Sequence, residues 1–269
     1  MNYYDEEMIM EEPLSDDDDF LFDNDELIPF DVYDDHFICE DTGYGCIVIK
    51  KGPVFSHDLA STDFPDGVTT IGDRAFKGYD LTYVKLPDSL KVIGDGAFSE
   101  CKKLTEIEIP DSVTNIGEHA FYACLTLSKI KLSDNTERIG DHAFSFCAAL
   151  TSVEIPGSVR DLGNCVFRKC SSLVSVEIRD GVTVLGIGTF SECTELSSVA
   201  IPSSVTSIEN GAFYGCRKLK AIKIPDSVKQ IGKNAFLGCH ALTIYGSKGS
   251  AAEEYARKNN IRFSELSNA

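Results

Sequence analysis

Histidine and cysteine are the residues in this sequence whose side chains could bind a metal or react. There are five histidines and ten cysteines among 269 residues. Two histidines, His119 and His142, each follow a carboxylate residue, so a metal ion bridging the two imidazoles is one interpretation of the pair. We find no further histidine or cysteine beside them in the pattern, which makes the site a poor one. The interpretation that we favour is two solvated turn residues.

A count of ten cysteines is typical of a secreted disulfide framework, but their positions indicate otherwise. Seven recur every 23 residues, each three residues after a phenylalanine, where a small apolar side chain is wanted. Neighbouring strands lie about 4.8 Å apart, which one disulfide can span, but seven in a row cannot all pair. We expect reduced packing residues that burial keeps inert, and no zinc site, since no CxxC occurs. The seven are Cys101, Cys124, Cys147, Cys170, Cys193, Cys216 and Cys239.

The same interval governs most of the chain. Eight copies of one pattern run from Phe64 to about Gly246, such as LPDSLKVIGDGAFSECKKLTEIE, which begins at Leu86. A fixed period of this size predicts a solenoid, in which a unit cannot bury its apolar face without its neighbours. One column of phenylalanines should then stack into a spine. Its members are Phe76, Phe98, Phe121, Phe144, Phe167, Phe190, Phe213 and Phe236.

The other positions of the unit predict its local structure. Ile107 and Ile109 alternate with Glu106 and Glu108, which is typical of a half-buried strand, so the copies should form a parallel sheet on the concave side. Proline after the strand ends the pairing. The glycine that follows, as at Gly94, suits a sharp bend with unusual backbone angles. The xAFxxC piece is too short for a lasting helix, so we expect single helical or 3₁₀ turns on the convex side.

The strand L-x-x-I-x-I joined to IPDSV-x-x-IG-x-x-AF-x-x-C resembles the BspA-type leucine-rich repeat over about residues 64–246. The resemblance implies an α/β solenoid, a right-handed leucine-rich-repeat coil of about eight 23-residue repeats. It also implies a surface or secreted interaction protein, as most members of the family are, and several members act as adhesins. Local departures are Ser133 and Arg179 in the proline position and Glu209 in the glycine position.

The sequence divides into four parts. Residues 1–35 form an acidic, flexible head, residues 36–63 an N-terminal hairpin cap, residues 64–246 the solenoid and residues 247–269 a C-terminal cap. The last part resembles the terminal cap of such arrays, with Ala251 to Lys258 as a short helix. The hairpin pattern should cover the first open edge of the sheet.

Acidity is concentrated in the head. The net charge of the chain is −18, and residues 1–63 hold 19 Asp and Glu against only Lys50 and Lys51. Nucleic acid is therefore excluded as an expected partner, since phosphate contacts need clustered Lys and Arg. The head itself is a solvated tail, a segment that folds onto a basic partner, or a segment that docks back on the solenoid. Phe20, Phe22 and Phe30 would be its apolar anchors.

The exposed strand positions suggest a binding surface. They carry charges of alternating sign, and two interpretations stay open: a sheet surface whose Lys and Glu pair across strands, and a docking surface anchored by an aromatic ring. The candidate binding residues are Tyr83, Lys85, Glu106, Glu108, Lys129 and Lys131. A second, patchier apolar stripe is predicted at Tyr122, Phe146, Tyr214 and Leu237.

We therefore expect a monomeric protein-binding scaffold without catalytic activity or cofactor, related to adhesion and not inserted into a membrane. GxSxG, HExxH, Walker and GxGxxG motifs are absent. The alternative is an intracellular regulator, of an immunity or inhibitor-like kind, whose acidic head binds a basic partner. An acidic N-terminus without an apolar signal-peptide core favours the cytoplasm, whereas the resemblance implies the cell surface.

Overall fold

A computed structural model of the protein describes residues 37–41, 47–51, 64 and 67–266. Successive 23-residue repeats form successive coils, and each residue of a strand pairs with its own counterpart one repeat away. A typical coil contains a short strand of two residues, a turn segment that carries the phenylalanine and the cysteine, and a long strand of three or four residues. The predicted solenoid of parallel strands is confirmed.

Most of the described elements are short strands in a regular order. In chain order they are β1 (Phe37–Asp41), β2 (Ile47–Lys51), β3 (Val68–Ile71), β4 (Val92–Ile93), β5 (Glu106–Glu108), β6 (Asn115–Ile116), β7 (Lys129–Lys131), β8 (Arg138–Ile139), β9 (Ser152–Ile155), β10 (Asp161–Leu162), β11 (Ser175–Ile178), β12 (Val184–Leu185), β13 (Ser198–Ala200), β14 (Ser207–Ile208), β15 (Ala221–Lys223), β16 (Gln230–Ile231), β17 (Thr243–Gly246), α1 (Ala251–Lys258) and β18 (Arg262–Glu265).

Long and short strands form separate ladders. The long strands pair in parallel as β5 with β7, β9 through β11 to β13, and β15 through β17 to β18. The short strands continue a seven-stranded sheet in the order β1-β2-β3-β4-β6-β8-β10, and β12, β14 and β16 form a second group. At the start of the array, β1 and β2 are antiparallel and β2 is parallel to β3.

The glycine that follows most of the short strands is needed for close packing. A Cβ on Gly94 would lie 2.8 Å from the carbonyl oxygen of Ile71, and one on Gly140 would lie 2.6 Å from the backbone nitrogen of Glu118. Such distances are shorter than real Cβ contacts, so the backbone of one coil approaches the next only where no side chain intervenes. The expectation of unusual backbone angles at these glycines is wrong, because neither has a positive φ.

Unusual backbone angles occur instead in the turn segment. Each coil has two left-handed residues four apart, such as His142 (φ 57°) and Phe146 (φ 63°). Between them, the Ser145 N–H donates to the His142 carbonyl at 3.0 Å, which closes a single turn with the i→i+3 hydrogen bond of a 3₁₀ helix. Because a left-handed residue interrupts every turn, the segment contains hydrogen-bonded turns and no continuous helix.

The turn segments also form a third ladder between coils. The N–H of the spine phenylalanine and those of the two left-handed residues donate to carbonyls one coil further on. In one coil the His142 N–H donates to Asn164, Phe144 to Val166 and Phe146 to Arg168, at 2.7 to 2.9 Å. The turn segments therefore join every coil of the array to the next, including steps at which a strand ladder is interrupted, such as β10 to β12.

The phenylalanine column is the centre of the core, as predicted. Its eight rings are fully buried and stack with centroids 5.2 to 5.7 Å apart. Phe64 meets the first ring edge-on, and Tyr255 of α1 meets the last ring, Phe236, edge-on. The spine thus has an aromatic closure at each end.

The cysteine column lies beside the spine, and its seven thiols are buried and free, as expected. Each Sγ–H donates to the carbonyl of the previous coil's phenylalanine, for example Cys147 to Phe121 at 3.2 Å. Burial raises the pKa of the Cys124, Cys147, Cys170 and Cys193 thiols, and raises that of Cys101 to about 12. At Cys216 a hydrogen bond with the Cys239 side chain, followed by burial, raises the pKa. A hydrogen-bond donor is the feature that distinguishes cysteine from alanine at this position.

The C-terminal cap continues the long-strand ladder. Ser250 caps α1 by accepting from the Glu253 N–H at 3.3 Å, as expected for a serine at this position. After α1 the chain returns as β18, which adds to β17 in parallel. Ala252, Tyr255 and Ala256 face the last coil and are buried.

Replacing Phe144 with alanine should lower the free energy of unfolding by about 3–5 kcal/mol, because it removes a ring stacked on both sides and leaves a cavity. Phe76→Ala should cost less, since its ring meets Phe64 edge-on at the first coil. Urea unfolding followed by circular dichroism measures both. Small and equal losses would contradict a packed spine.

The cysteine column should react slowly with a thiol reagent in the native protein and completely in denaturant, because burial hides Sγ and disfavours the thiolate. Cys165, which is half-buried and outside the column, should react faster. Spectrophotometric titration of released thiolate measures both rates. Few free thiols in denatured, unreduced protein would show that the column is oxidised.

Candidate binding surface

The exposed side chains of the long strands, here called the long-strand surface, include the residues predicted to bind. Tyr83 forms a parallel bridge with Glu106. In the next step of the ladder Glu106 lies opposite Lys129, and Glu108 lies opposite Lys131. The alternation predicted for β5 is confirmed, because both glutamates are exposed and Ile107 between them is buried.

Only part of this surface is internally paired. Lys131 donates to Glu108, and this hydrogen bond holds the pKa of the Glu108 carboxyl below and that of the Lys131 ammonium above their usual values. Glu106 and Lys129, although opposite in register, form no ion pair within the described residues. Exposed ion pairs contribute little to stability. Glu108 and Lys131 thus neutralise each other, whereas the charges of Glu106 and Lys129 are available to a partner.

The same residues border an open cavity. Its volume is about 960 Å³, and its walls run from Tyr83 and Lys85 across β5 and β7 to Ser152. Tyr83 is 42 % exposed at one end of it. An exposed aromatic ring beside charged groups is a common composition of protein interfaces.

Further along the array, an arginine joins carboxylates of two earlier coils on the long-strand surface, and the sequence did not mark this arginine as functional. Arg179, in the proline position, donates to Glu154 and also reaches Asp134, two coils back, at 2.8 Å. Gly157, in the coil before Arg179, lets the Asp180 backbone approach closely, since a Cβ there would lie 2.1 Å from the Asp180 carbonyl oxygen. The departure from proline was the signal in the sequence that marked this position.

The predicted anchors Phe20, Phe22 and Phe30 lie outside the described residues, as does the whole of the acidic head. The six candidates of the long-strand surface are therefore brought together on two strands and a bridge, and the three of the head are not placed.

The histidine pair differs from the expected solvated turn residues. His119 and His142 stack with centroids 4.9 Å apart and planes at 10°, and both are half-buried. Burial lowers the pKa of each imidazole, and the neighbouring imidazole lowers that of His142 further. Cys165 stands in the same column one coil on, which the sequence interpretation overlooked. Among the described residues no group of three or more His, Cys, Asp and Glu could hold a metal ion.

Some charged groups around the histidine pair favour protonation of the imidazoles and others oppose it. Carboxylates near His119 favour its protonated form and Arg74 opposes it, while Asp141 favours and Arg168 opposes protonation of His142. The carboxylates near His119 are Asp95, Glu118 and Asp141.

The apolar stripe predicted beside the cysteine column is discontinuous. Tyr122 and Phe146 are in contact with centroids 5.3 Å apart, and the Lys169 ammonium lies 4.7 Å from the Phe146 ring centroid. Leu237, at the far end of the array, is 52 % exposed.

Comparison with known proteins identifies relatives of the repeats. Residues 54–174 and 114–243 match the BspA type leucine rich repeat region, in six copies. No curated protein matches the chain. In the part of the chain that the structure describes, no helix has the length and apolar character to span a bilayer.

Two solved structures illustrate the similarity. The leucine-rich repeat protein TpLRR of T. pallidum is 27 % identical, with a TM-score of 0.60, over 85 % of this chain and 95 % of that one. A leucine rich cell surface protein from Faecalibacterium prausnitzii is 33 % identical, with a TM-score of 0.49, over 74 % of this chain. The match covers 62 % of that protein, so this chain spans less than two thirds of its length.

The half-buried histidine pair should make stability depend on pH. Because the folded pKa values are lowered, the unfolded chain binds protons first as the pH falls through the ordinary histidine range, and the folded state should lose stability from about pH 7.5 to about pH 5.5. Urea unfolding at the two pH values of the wild type and of a His119→Asn, His142→Asn variant measures the effect. Asparagine suits both positions, since Asn234 holds the same left-handed position with φ 59°. An equal loss in both proteins would exclude the histidines as its source.

Proposed function

The chain belongs to the BspA-type leucine-rich repeat family, and from this premise we propose that it is a protein-binding scaffold without catalytic activity whose ligand docks on the long-strand surface. The observation that carries the proposal is the row of Tyr83, Glu106 and Lys129 along one wall of the open cavity. Repeat arrays commonly bind partners along such extended surfaces.

Each residue of the row has a role in the proposal. Tyr83 supplies a large apolar ring with a polar tip, the kind of side chain that dominates interface energies. Glu106 and Lys129 supply charges of opposite sign that a partner can match, which favours selectivity more than affinity. Lys85, Glu108 and Lys131 border the contact. Because Glu108 and Lys131 already pair, a partner gains less from them.

Adhesion at a cell surface is the biological role that we propose. Membership of a family whose proteins are mostly surface or secreted interaction proteins supports it. Cytoplasmic location, expected from the sequence, is the competing proposal. Protease treatment of intact cells distinguishes the two, because only an exposed protein would be cleaved without lysis.

An intracellular regulator remains the second candidate because of one observation. Residues 1–63 carry a net charge of −17 out of −18 for the whole chain. A basic partner would be attracted to such a segment over a distance set by salt screening. Phe20, Phe22 and Phe30 would then anchor the contact.

One capture experiment separates the two candidates. The full chain, immobilised, is exposed to membrane and soluble protein fractions, and captured proteins are identified by mass spectrometry. With Lys129→Glu and Tyr83→Ala, capture of the surface ligand should fall about tenfold or more, as for hot-spot residues. Lys91→Glu, an exposed lysine on the short-strand ladder of the same array, is the matched control and should have no effect.

The opposite pattern would overturn the proposal. If both variants capture as well as the wild type while deletion of residues 1–35 abolishes capture in a salt-dependent way, the acidic head is the binding element and the regulator candidate holds.

A further inference from the structure

The last step of the cysteine column differs from the steps before it. The thiols of Cys216 and Cys239 donate to the carbonyls of Phe190 and Phe213 at 3.2 Å, as those of the earlier coils do. The two cysteine side chains are also hydrogen-bonded to each other. Within the described residues no other neighbouring pair of the column has a bond between its thiols. The two sulfur atoms at the end of the column are therefore already in contact.

Cys239 is also the least covered member of the column. It is 6 % exposed, whereas each of the six earlier cysteines is 0 % exposed. Every earlier cysteine is followed one coil later by another, but no cysteine follows Cys239. The end of the array thus opens one thiol that the repeat elsewhere keeps covered.

A groove reaches this thiol. Its volume is about 610 Å³, and Cys239 is part of its wall. Residues 236–243 form one side, and Tyr255 with residues 259–262 forms the other. We call it the end groove. Because so little of Cys239 is exposed, a small molecule can meet the sulfur atom there and a bulky one cannot.

The spacing of the last two coils suits a disulfide. The rings of Phe213 and Phe236, three residues before the two cysteines, stack with centroids 5.2 Å apart. A separation of about 5 Å lies inside the range of Cα distances, about 4.4–6.8 Å, that a disulfide spans. The bond can therefore form by rotation of the two side chains, without separation of the coils.

We propose that Cys216 and Cys239 are a redox-sensitive pair, and that a small hydroperoxide entering the end groove converts them into a disulfide. The contact of the two thiols and the opening of one of them to the groove carry the proposal. The size of the opening selects the oxidant, of which hydrogen peroxide is the simplest. The other five thiols of the column lack such an opening and stay reduced.

The reaction proceeds in two steps that balance. The Cys239 thiolate attacks one oxygen of hydrogen peroxide, so that an S–O bond forms, the O–O bond breaks, and the departing hydroxide takes the thiol proton and leaves as water. The Cys216 sulfur then attacks the sulfenic sulfur, the S–S bond forms, and the S–O bond breaks. A second water leaves with the Cys216 proton. Two thiols lose two electrons, and one peroxide is reduced to two waters.

The disulfide changes how the last coil is held. Both Sγ–H donors are consumed, so the carbonyls of Phe190 and Phe213 lose one hydrogen bond each. A covalent link replaces these bonds, and it joins the coil on which Tyr255 of α1 packs to the coil before it. Oxidation therefore prevents the capped coil from separating from the rest of the array.

Mass spectrometry of the full chain tests the proposal. Reduced protein is treated with hydrogen peroxide, denatured, alkylated and digested with trypsin, which places Cys239 in peptide 234–248 and Cys216 in peptide 180–217. A disulfide between these two peptides should form about tenfold or more faster than any disulfide between cysteines of the earlier coils, because burial keeps the oxidant from them.

Three serine variants assign the link. Cys216→Ser and Cys239→Ser should each abolish it. Cys193 lies in the same tryptic peptide as Cys216, so Cys193→Ser is the matched control and should change the rate by less than about twofold. Serine keeps a donor for the carbonyl at each position. Thermal unfolding of each variant verifies that the repeats are folded.

Three results would overturn the proposal. Loss of the link in Cys193→Ser would assign it to a different pair. Oxidation of Cys239 to sulfinic acid with no link would show that the Cys216 sulfur does not reach it. Equal rates of oxidation at all seven thiols of the folded protein would show that the end groove is not the route of the oxidant.

Discussion

Every residue in the array packs against its own counterpart one coil before and one coil after, and this constraint decides which side chains the repeat can contain. A phenylalanine packs on a phenylalanine with ring centroids 5.2 Å apart, because stacked rings fill the space without voids. Two glycines in succession, as at Gly117 and Gly140, let backbones approach where any Cβ would collide. Cysteine can also recur in one column, because its thiol donates a hydrogen bond to a phenylalanine carbonyl of the previous coil and needs no partner in its own column.

Charged residues also meet their counterparts in neighbouring coils, but for them a column of identical residues is unfavourable. A column of like charges would repel itself at every step, so the exposed column through Lys85, Glu108, Lys131 and Glu154 changes sign along the first coils. Where the alternation fails, at Glu154 and Glu177, Arg179 reaches back to the first of these carboxylates. The stacking of coils therefore requires this alternation of charge on the long-strand surface, whether or not a partner binds there.

Departures from the repeat are therefore the places where the chain has freedom to acquire a function. Tyr83 stands where later coils have Glu, Lys, Ser, Ala or Thr, and Leu237 stands where every earlier coil has a polar residue or tyrosine. Neither is demanded by the core, since both are exposed. The two residues lie at opposite ends of the array, Tyr83 at the first long strands and Leu237 at the last coil. The regular packing of one coil on the next begins in the first of these regions and ends in the second.

The sequence by itself determined the period, the columns, the burial of the spine and the thiols, and the register of the strands, because all of these follow from identical residues meeting at a constant interval. Only the tertiary structure decided the left-handed pairs in the turn segment, the stacking of His119 on His142 and the engagement of Glu108 by Lys131. It also decided that the last thiol of the cysteine column is the one that a groove reaches. These features depend on atoms of the neighbouring coil, and a position such as Cys239, which looks like any other copy in the sequence, differs only because no coil follows it.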